Sequence, residues 1–177
     1  GTGALFIRKG ASLLSLISGG GQETNLRAST ENIAGIGGFG MAVELATNKL
    51  EKNSDHITHL ETHFISQLDE KKIDYNINGI HRVPGVLNMT FPNIDGQNLV
   101  MKLDMLGIGI SFGSACASGT AKASSILMDM GLSQEEALST IRISIGKIHS
   151  LDDINTLIQT LHHILSQKGK KLIAHEE

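Results

Sequence analysis

The sequence is poor in several things that would assign it to a common functional class. Tryptophan is absent and there is one tyrosine among 177 residues. That argues against an aromatic platform on which single-stranded nucleic acid could stack. Fifteen Lys and Arg face 18 Asp and Glu, a formal net charge of −3, so no basic excess suggests a nucleic-acid surface. A single cysteine, Cys116, excludes an intrachain disulfide framework and fits a reducing compartment. No signal-peptide pattern and no apolar run long enough to cross a bilayer is read. A cytoplasmic protein with no membrane or direct nucleic-acid partner is the expectation. Gly1-Thr2-Gly3, followed at once by Ala4-Leu5-Phe6-Ile7, reads as the middle of a fold with part of the protein missing.

What is present is an α/β pattern, long enough to bury a real core. Ala4–Ile7 is a short strand candidate, and Ser18-Gly19-Gly20-Gly21 a glycine loop. Ser29-Thr30-Glu31-Asn32 offers cap-type side chains ahead of a long helical pattern. Phe39, Val43, Ala46 and Leu50 carry that pattern, and Ile57, Leu60, Phe64 and Leu68 continue it, with a break expected at Asn53-Ser54-Asp55. The period then shortens. Ile73–Ile77, Val86–Phe91 and Ile108–Phe112 read as strands, and Ile141-Arg142-Ile143-Ser144-Ile145 alternates strictly. Helices are predicted over about 97–106, 124–130 and from a capping box at Ser133 and Glu136. A last one is capped by Ser150 with Asp153. The fold predicted for residues 51–177 is a compact α/β sandwich of three to four strands with packed helices. Within residues 1–50, the first thirty read as the edge of a different layer, joined to the sandwich by the long helical segment.

Several residues could carry chemistry. Cys116 lies in Ser111-Phe112-Gly113-Ser114-Ala115-Cys116-Ala117-Ser118-Gly119-Thr120-Ala121, where every residue from Gly113 onward is small. A lone cysteine can be a buried spacer; a thiol on a Gly/Ser-lined segment also suits a sulfur that must move between two places. Local sequence leaves both readings open. Arg142, between two isoleucines of an alternating strand, is a solvent-facing charge or a guanidinium gripping a carboxylate through two parallel bonds. Arg27, with Ser29 and Thr30 before a helix, makes a natural anion site, although plain capping accounts for the hydroxyls. Gly35-Ile36-Gly37-Gly38-Phe39-Gly40 matches GxGxxG, but capping residues precede it where a nucleotide fold needs a strand; the glycines read instead as allowing close helix packing. His56, His59 and His63 share helical spacing, and their neighbours Thr58, Glu61 and Thr62 read as an ordinary solvated face.

In order and spacing these pieces resemble the cysteine desulfurases, fold type I pyridoxal-phosphate enzymes of the class V aminotransferase group. Gly3–Arg8 is similar to the family strand after the cofactor lysine. Gly19-Gly20-Gly21-Gln22-Glu23 and Leu26–Asn32 are similar to GGGQE…LRSGTEN, and Pro84–Phe91 to the PNxLNxSF strand. Ser114–Gly119 resembles the catalytic-cysteine loop, and Ile141–Ser144 the substrate-arginine strand. The resemblance implies that Cys116 is the nucleophile, taking sulfur from L-cysteine as a persulfide and leaving alanine, with pyridoxal phosphate as cofactor. It implies that residues 51–177 are a small C-terminal domain and residues 1–50 the edge of a large cofactor domain. It implies that Arg142 holds the substrate carboxylate, and that Thr30, with Arg27, reaches the cofactor phosphate across a homodimer. The persulfide would pass to sulfur-acceptor proteins, an iron–sulfur scaffold or a tRNA-thiolation enzyme. Ser29 stands where the family usually has glycine, and Lys122-Ala123-Ser124 lacks the usual proline. None of Lys9, Lys49 or the later lysines matches the Schiff-base lysine, so the chain alone is expected to be an inactive fragment. The competing readings are selenocysteine lyase or another class V enzyme, a non-catalytic persulfide carrier, and a dimerisation fragment.

Overall fold

The strict alternation at residues 141–145 makes a two-faced strand. Ile141, Ile143 and Ile145 are buried while Arg142 and Ser144 stand exposed, as the period of two requires. The computed structural model that shows this describes residues 1–113 and 123–173. It divides into two compact units, Gly1–Glu51 and Lys52–Glu177.

The first unit holds a short turn α1 (Gln22–Asn25) and the helix α2 (Ile33–Asn48). Helix α3 (Leu50–Glu70) follows, and the second unit continues with β1 (Asn76–Ile77), β2 (Val86–Thr90), α4 (Gly96–Asp104) and β3 (Ser111–Phe112). It ends with α5 (Ser125–Asp129), α6 (Gln134–Leu138), β4 (Thr140–Ser144) and α7 (Leu151–Ile173). All four strands form one antiparallel sheet in the order β1-β2-β4-β3.

The core of the second unit lies on one face of this sheet. Leu87, Met89 and Phe91 from β2 and its end meet Ile141, Ile143 and Ile145 of the β4 strand and its end. Leu60, Phe64 and Leu68 of α3, Leu99 and Leu103 of α4, and Ile154, Leu157, Ile158 and Leu161 of α7 close over them. Each of these large side chains contributes about 1.5–3 kcal/mol by leaving water. The first unit is built otherwise. Its one buried apolar residue is Ala28, while Leu5, Phe6, Leu14, Leu16 and Ile33 are exposed, and α2 buries no residue.

Four expectations need correction. Residues 4–7 form no strand. The predicted strands over 73–77 and 108–112 shrink to Asn76–Ile77 and Ser111–Phe112; both lie at the sheet's edges, where only one neighbour supplies hydrogen bonds. The helical pattern breaks at Lys49, at φ −112° and ψ 5°, not at Asn53–Asp55. Those polar residues fall just inside the start of α3, where short polar side chains are tolerated near unpaired backbone groups. The face of His56, Glu61 and His63 is not simply solvated. His56 Nε2 bonds the His149 carbonyl at 2.9 Å, and His63 Nε2 bonds Asn155 Oδ1 at 2.8 Å. Glu61 accepts from Arg82 at 2.8 Å and from the Gly85 amide at 2.6 Å. Gly85 is required there: its φ is 82°, and a Cβ would strike the Ile145 carbonyl and Ile57.

Candidate functional site

The outward face of the sheet is where the second unit places its polar chemistry. Strand register sets Asn88 of β2 opposite Arg142 of β4, and Ser111 of β3 opposite Arg142 on its other side. Asn78, just past β1, joins the same row, its amide donating to the Asn88 carbonyl at 2.8 Å. Arg142 is exposed, and its guanidinium donates to Ser111 Oγ at 3.3 Å, a long bond that leaves most of its five donors free. The one ion pair among the described residues is Arg82–Glu61, so Arg142 there meets no carboxylate.

Behind this row runs a chain of polar side chains. Asn78 Nδ2 donates to Asn88 Oδ1 at 2.8 Å and to Thr90 Oγ1 at 2.9 Å. Thr90 Oγ1 lies 2.7 Å from Thr140 Oγ1, and Thr140 Oγ1 donates to the Glu136 carbonyl at 2.7 Å. Thr90 and Thr140 are buried, so each bond here offsets a desolvation cost that would otherwise stand unmet. The Glu136 carbonyl also accepts from the Ser139 amide at 3.1 Å, and Glu136 itself is fixed by the predicted capping box. Ser133 Oγ accepts from the Glu136 amide at 3.2 Å, and the Glu136 carboxylate accepts from the Ser133 amide at 2.8 Å. These bonds from Ser133 hold the Glu136 carboxyl below its ordinary value of 4.5.

In the first unit, Arg27, Ser29 and Thr30 fall on one short stretch before α2, all exposed. Arg27 Nη1 donates to the Ser29 carbonyl at 3.4 Å, and Ala28 is pinned by its amide bond to the Ile17 carbonyl at 3.3 Å. Ser29 has φ 91°, in the left-handed region that glycine adopts without steric cost. Asn32 caps α2, its side chain accepting from the Gly35 amide at 3.0 Å. A guanidinium and two hydroxyls, free in solvent beside a helix start, form a donor set of the kind a phosphate takes. Beside them Gln22 Oε1 is buried with no partner among the described residues; as one letter of the glycine loop it carried no separate signal in the sequence.

The other expected site residues divide plainly. Arg27 and Thr30 belong to the first unit, Arg142 to the second, and Cys116 lies outside the described residues. Ser111, the β3 partner of Arg142, precedes Cys116 by five positions in the sequence. Asn78, Asn88, Thr90 and Thr140 were not singled out by sequence reasoning. Asn88, Thr90 and Thr140 lie at outward positions of β2 and β4, a polar period that does not by itself say which of them meet. The GxGxxG glycines lie inside α2, and a Cβ at Gly37, Gly38 or Gly40 would meet nothing within 4 Å. Close packing on them is therefore not seen among the described residues. Those residues also hold no group of three or more potential metal ligands, and none of their helices is long and apolar enough to cross a membrane.

Comparison with known proteins identifies the family. Residues 1–157 match the family model for class V aminotransferases. Among relatives, the cysteine desulfurase IscS of Clostridium botulinum is 38% identical over 172 residues, and that of Dictyoglomus turgidum 37% identical over 169. These alignments cover 95% and 94% of this chain but 43% of each relative, so the chain spans under half the length of the relatives it matches. Among solved structures, a NifS-like protein from Rickettsia africae superposes with a TM-score of 0.74 at 32% identity, over 88% of this chain and 41% of that one.

Proposed function

The chain belongs to the class V aminotransferase family, and from that premise we propose that it is the cysteine-bearing portion of a cysteine desulfurase. Residues 1–50 are the tail of its cofactor domain and residues 51–177 its small domain. The observation that carries the reading is Arg142. It is an exposed guanidinium that meets no carboxylate among the described residues, on a strand whose neighbour β3 leads in sequence into the Cys116 segment.

In this reading Arg142 binds the carboxylate of L-cysteine through two of its parallel donors. Arg27 and Thr30 are the residues that would hold the phosphate of pyridoxal phosphate, Thr30 across a homodimer. The cofactor, when bound, supplies the electron sink that lets the substrate's Cβ–S bond break. The Cys116 thiolate attacks the substrate sulfur, so an S–S bond forms as the Cβ–S bond breaks. The electron pair left on carbon takes a proton, giving the methyl group of alanine, and the transferred sulfur remains on Cys116 as a persulfide. That sulfur then passes to an acceptor thiol, for iron–sulfur cluster assembly or tRNA thiolation in the cytoplasm.

The test is Cys116→Ala in the full-length, cofactor-loaded enzyme of which this chain is read as a portion. Sulfide release from L-cysteine should fall at least about 100-fold. The peptide containing Cys116 should gain the mass of one sulfur atom on incubation with L-cysteine. Release at the unsubstituted rate by the alanine variant would overturn the assignment of the nucleophile.

A further inference from the structure

The direction of every hydrogen bond behind Arg142 can be assigned from one fixed point. The Glu136 carbonyl can only accept, so the single hydroxyl proton of Thr140 is committed to it. Thr140 Oγ1 must then accept from Thr90, whose own proton is spent in that bond. Thr90 Oγ1 can therefore only accept from Asn78, so the Asn78 atom facing it is the amide nitrogen. That same nitrogen meets Asn88, and Asn88 must answer it with its oxygen. Neither amide can be turned over without breaking a bond of the series.

The consequence falls on Asn88. Its oxygen is held toward Asn78, so its Nδ2 is the free end of the amide, on the residue directly opposite Arg142. Residues directly opposite on one sheet face have Cβ atoms about 5 Å apart. A guanidinium has no acceptor to offer an amide nitrogen. Two sets of donors thus stand side by side on one face, with no acidic acceptor between them among the described residues. Asn88 is half-buried and Arg142 exposed, so the pair is reachable from solvent.

Resting on the reading of Arg142 as the carboxylate anchor, we propose that Asn88 Nδ2 is a second donor to the α-carboxylate of the amino-acid substrate. Asn78, Thr90 and Thr140 act as positioning residues that fix its orientation. Arg142 alone would accept any small carboxylate in many poses. A second donor at a fixed place selects one pose, which sets the direction in which the rest of the substrate leaves the sheet.

The experiment is a side-chain NMR titration of the full chain with L-alanine, against L-alaninol, which lacks the carboxylate. The Asn88 side-chain amide pair and the Arg142 Nε–H should shift with L-alanine on one binding curve and stay still with L-alaninol. Asn88→Asp keeps the oxygen that Asn78 needs and replaces the donor with a negative acceptor. It should leave the far-ultraviolet circular dichroism unchanged and abolish the Arg142 shift, whereas Asn88→Ala should weaken L-alanine about tenfold. Arg142 shifting alone, with Asn88→Asp binding as well as the unsubstituted chain, overturns the role of Asn88 and leaves the Arg142 reading standing. If neither residue responds, both readings fall. Should either variant fail to fold, the titration of the unsubstituted chain decides by itself.

Discussion

Ser29 sits at φ 91°, in the position where the resemblance leads one to expect glycine. A serine there is tolerated at a cost, and a β-branched side chain would meet more of the preceding carbonyl. Ser29→Gly should relax the turn and Ser29→Val should strain it, the two differing by roughly 1–3 kcal/mol in local stability. Hydrogen exchange at the Ala28 amide, bonded to the Ile17 carbonyl, would report the difference; equal protection in both variants would show that the backbone has moved to suit its side chain. The sequence could flag Ser29 as a departure, because its neighbours Arg27 and Thr30 fit a pattern. It could not flag Asn88. An asparagine in an outward strand position is ordinary by composition, and its meaning depends on Asn78 and Thr90 arriving at one amide nitrogen. That meeting is made by strand register, which no local window contains.

At the scale of elements, α6 is only five residues long, too short to hold itself by backbone bonds alone. Its capping box is therefore a large part of its stability. Ser133→Ala should lower the melting temperature by roughly 2–4 °C at pH 6. The sign of the pH dependence follows from Glu136, whose folded carboxyl is held below its ordinary value of 4.5 by bonds from Ser133. A carboxylate lowered on folding stabilises above its unfolded value and loses that contribution as pH falls through its folded one. The gap between the two proteins should accordingly narrow on acidification below about pH 4.5. A gap constant from pH 6 to pH 3 in calorimetry would place the effect in the serine alone. Asp153 is lowered the same way by Ser150 at the start of α7, so that cap too weakens on acidification, below the ordinary carboxyl value of 3.8. Both caps were legible as letters, Ser-x-x-Glu and Ser-x-x-Asp, because capping is a local event. The edge strands were not, because Ile73–Ile77 and Ile108–Phe112 have strand-like composition throughout. Only pairing decides how much of each is ladder.

For the molecule as a whole, burial is unevenly shared. The second unit closes α3, α4 and α7 over one face of a four-stranded sheet, whereas the first buries only Ala28 among its apolar residues. Cooperative stability follows buried apolar area, so amide exchange should differ sharply between the two. The α2 amides are expected to exchange at least about 100-fold faster than those of β2 and β4. Comparable protection across residues 33–48 and 140–144, measured by hydrogen–deuterium exchange, would mean that the first unit has found a cover in solution. Hydrophobic period told helix from strand in the second unit and found α2 in the first, but it also marked residues 4–7 as a strand that does not form. It did not tell that the apolar side chains of α2 are uncovered, since a pattern of apolar residues does not record what lies upon them.

The buried hydroxyls of Thr90 and Thr140 have one further consequence, for what substitution can and cannot be seen to change. Valine has nearly the outline of threonine and suits a strand at least as well. A valine at either position would preserve backbone, twist and register, yet the Asn78 and Asn88 amides would lose the reference that distinguishes one end from the other. The face beside Arg142 would then be an even mixture of donor and acceptor, with every strand in its place. The damage would be to orientation and to the stability that the lost bond supplied, and a superposition of backbones would read the altered protein as intact.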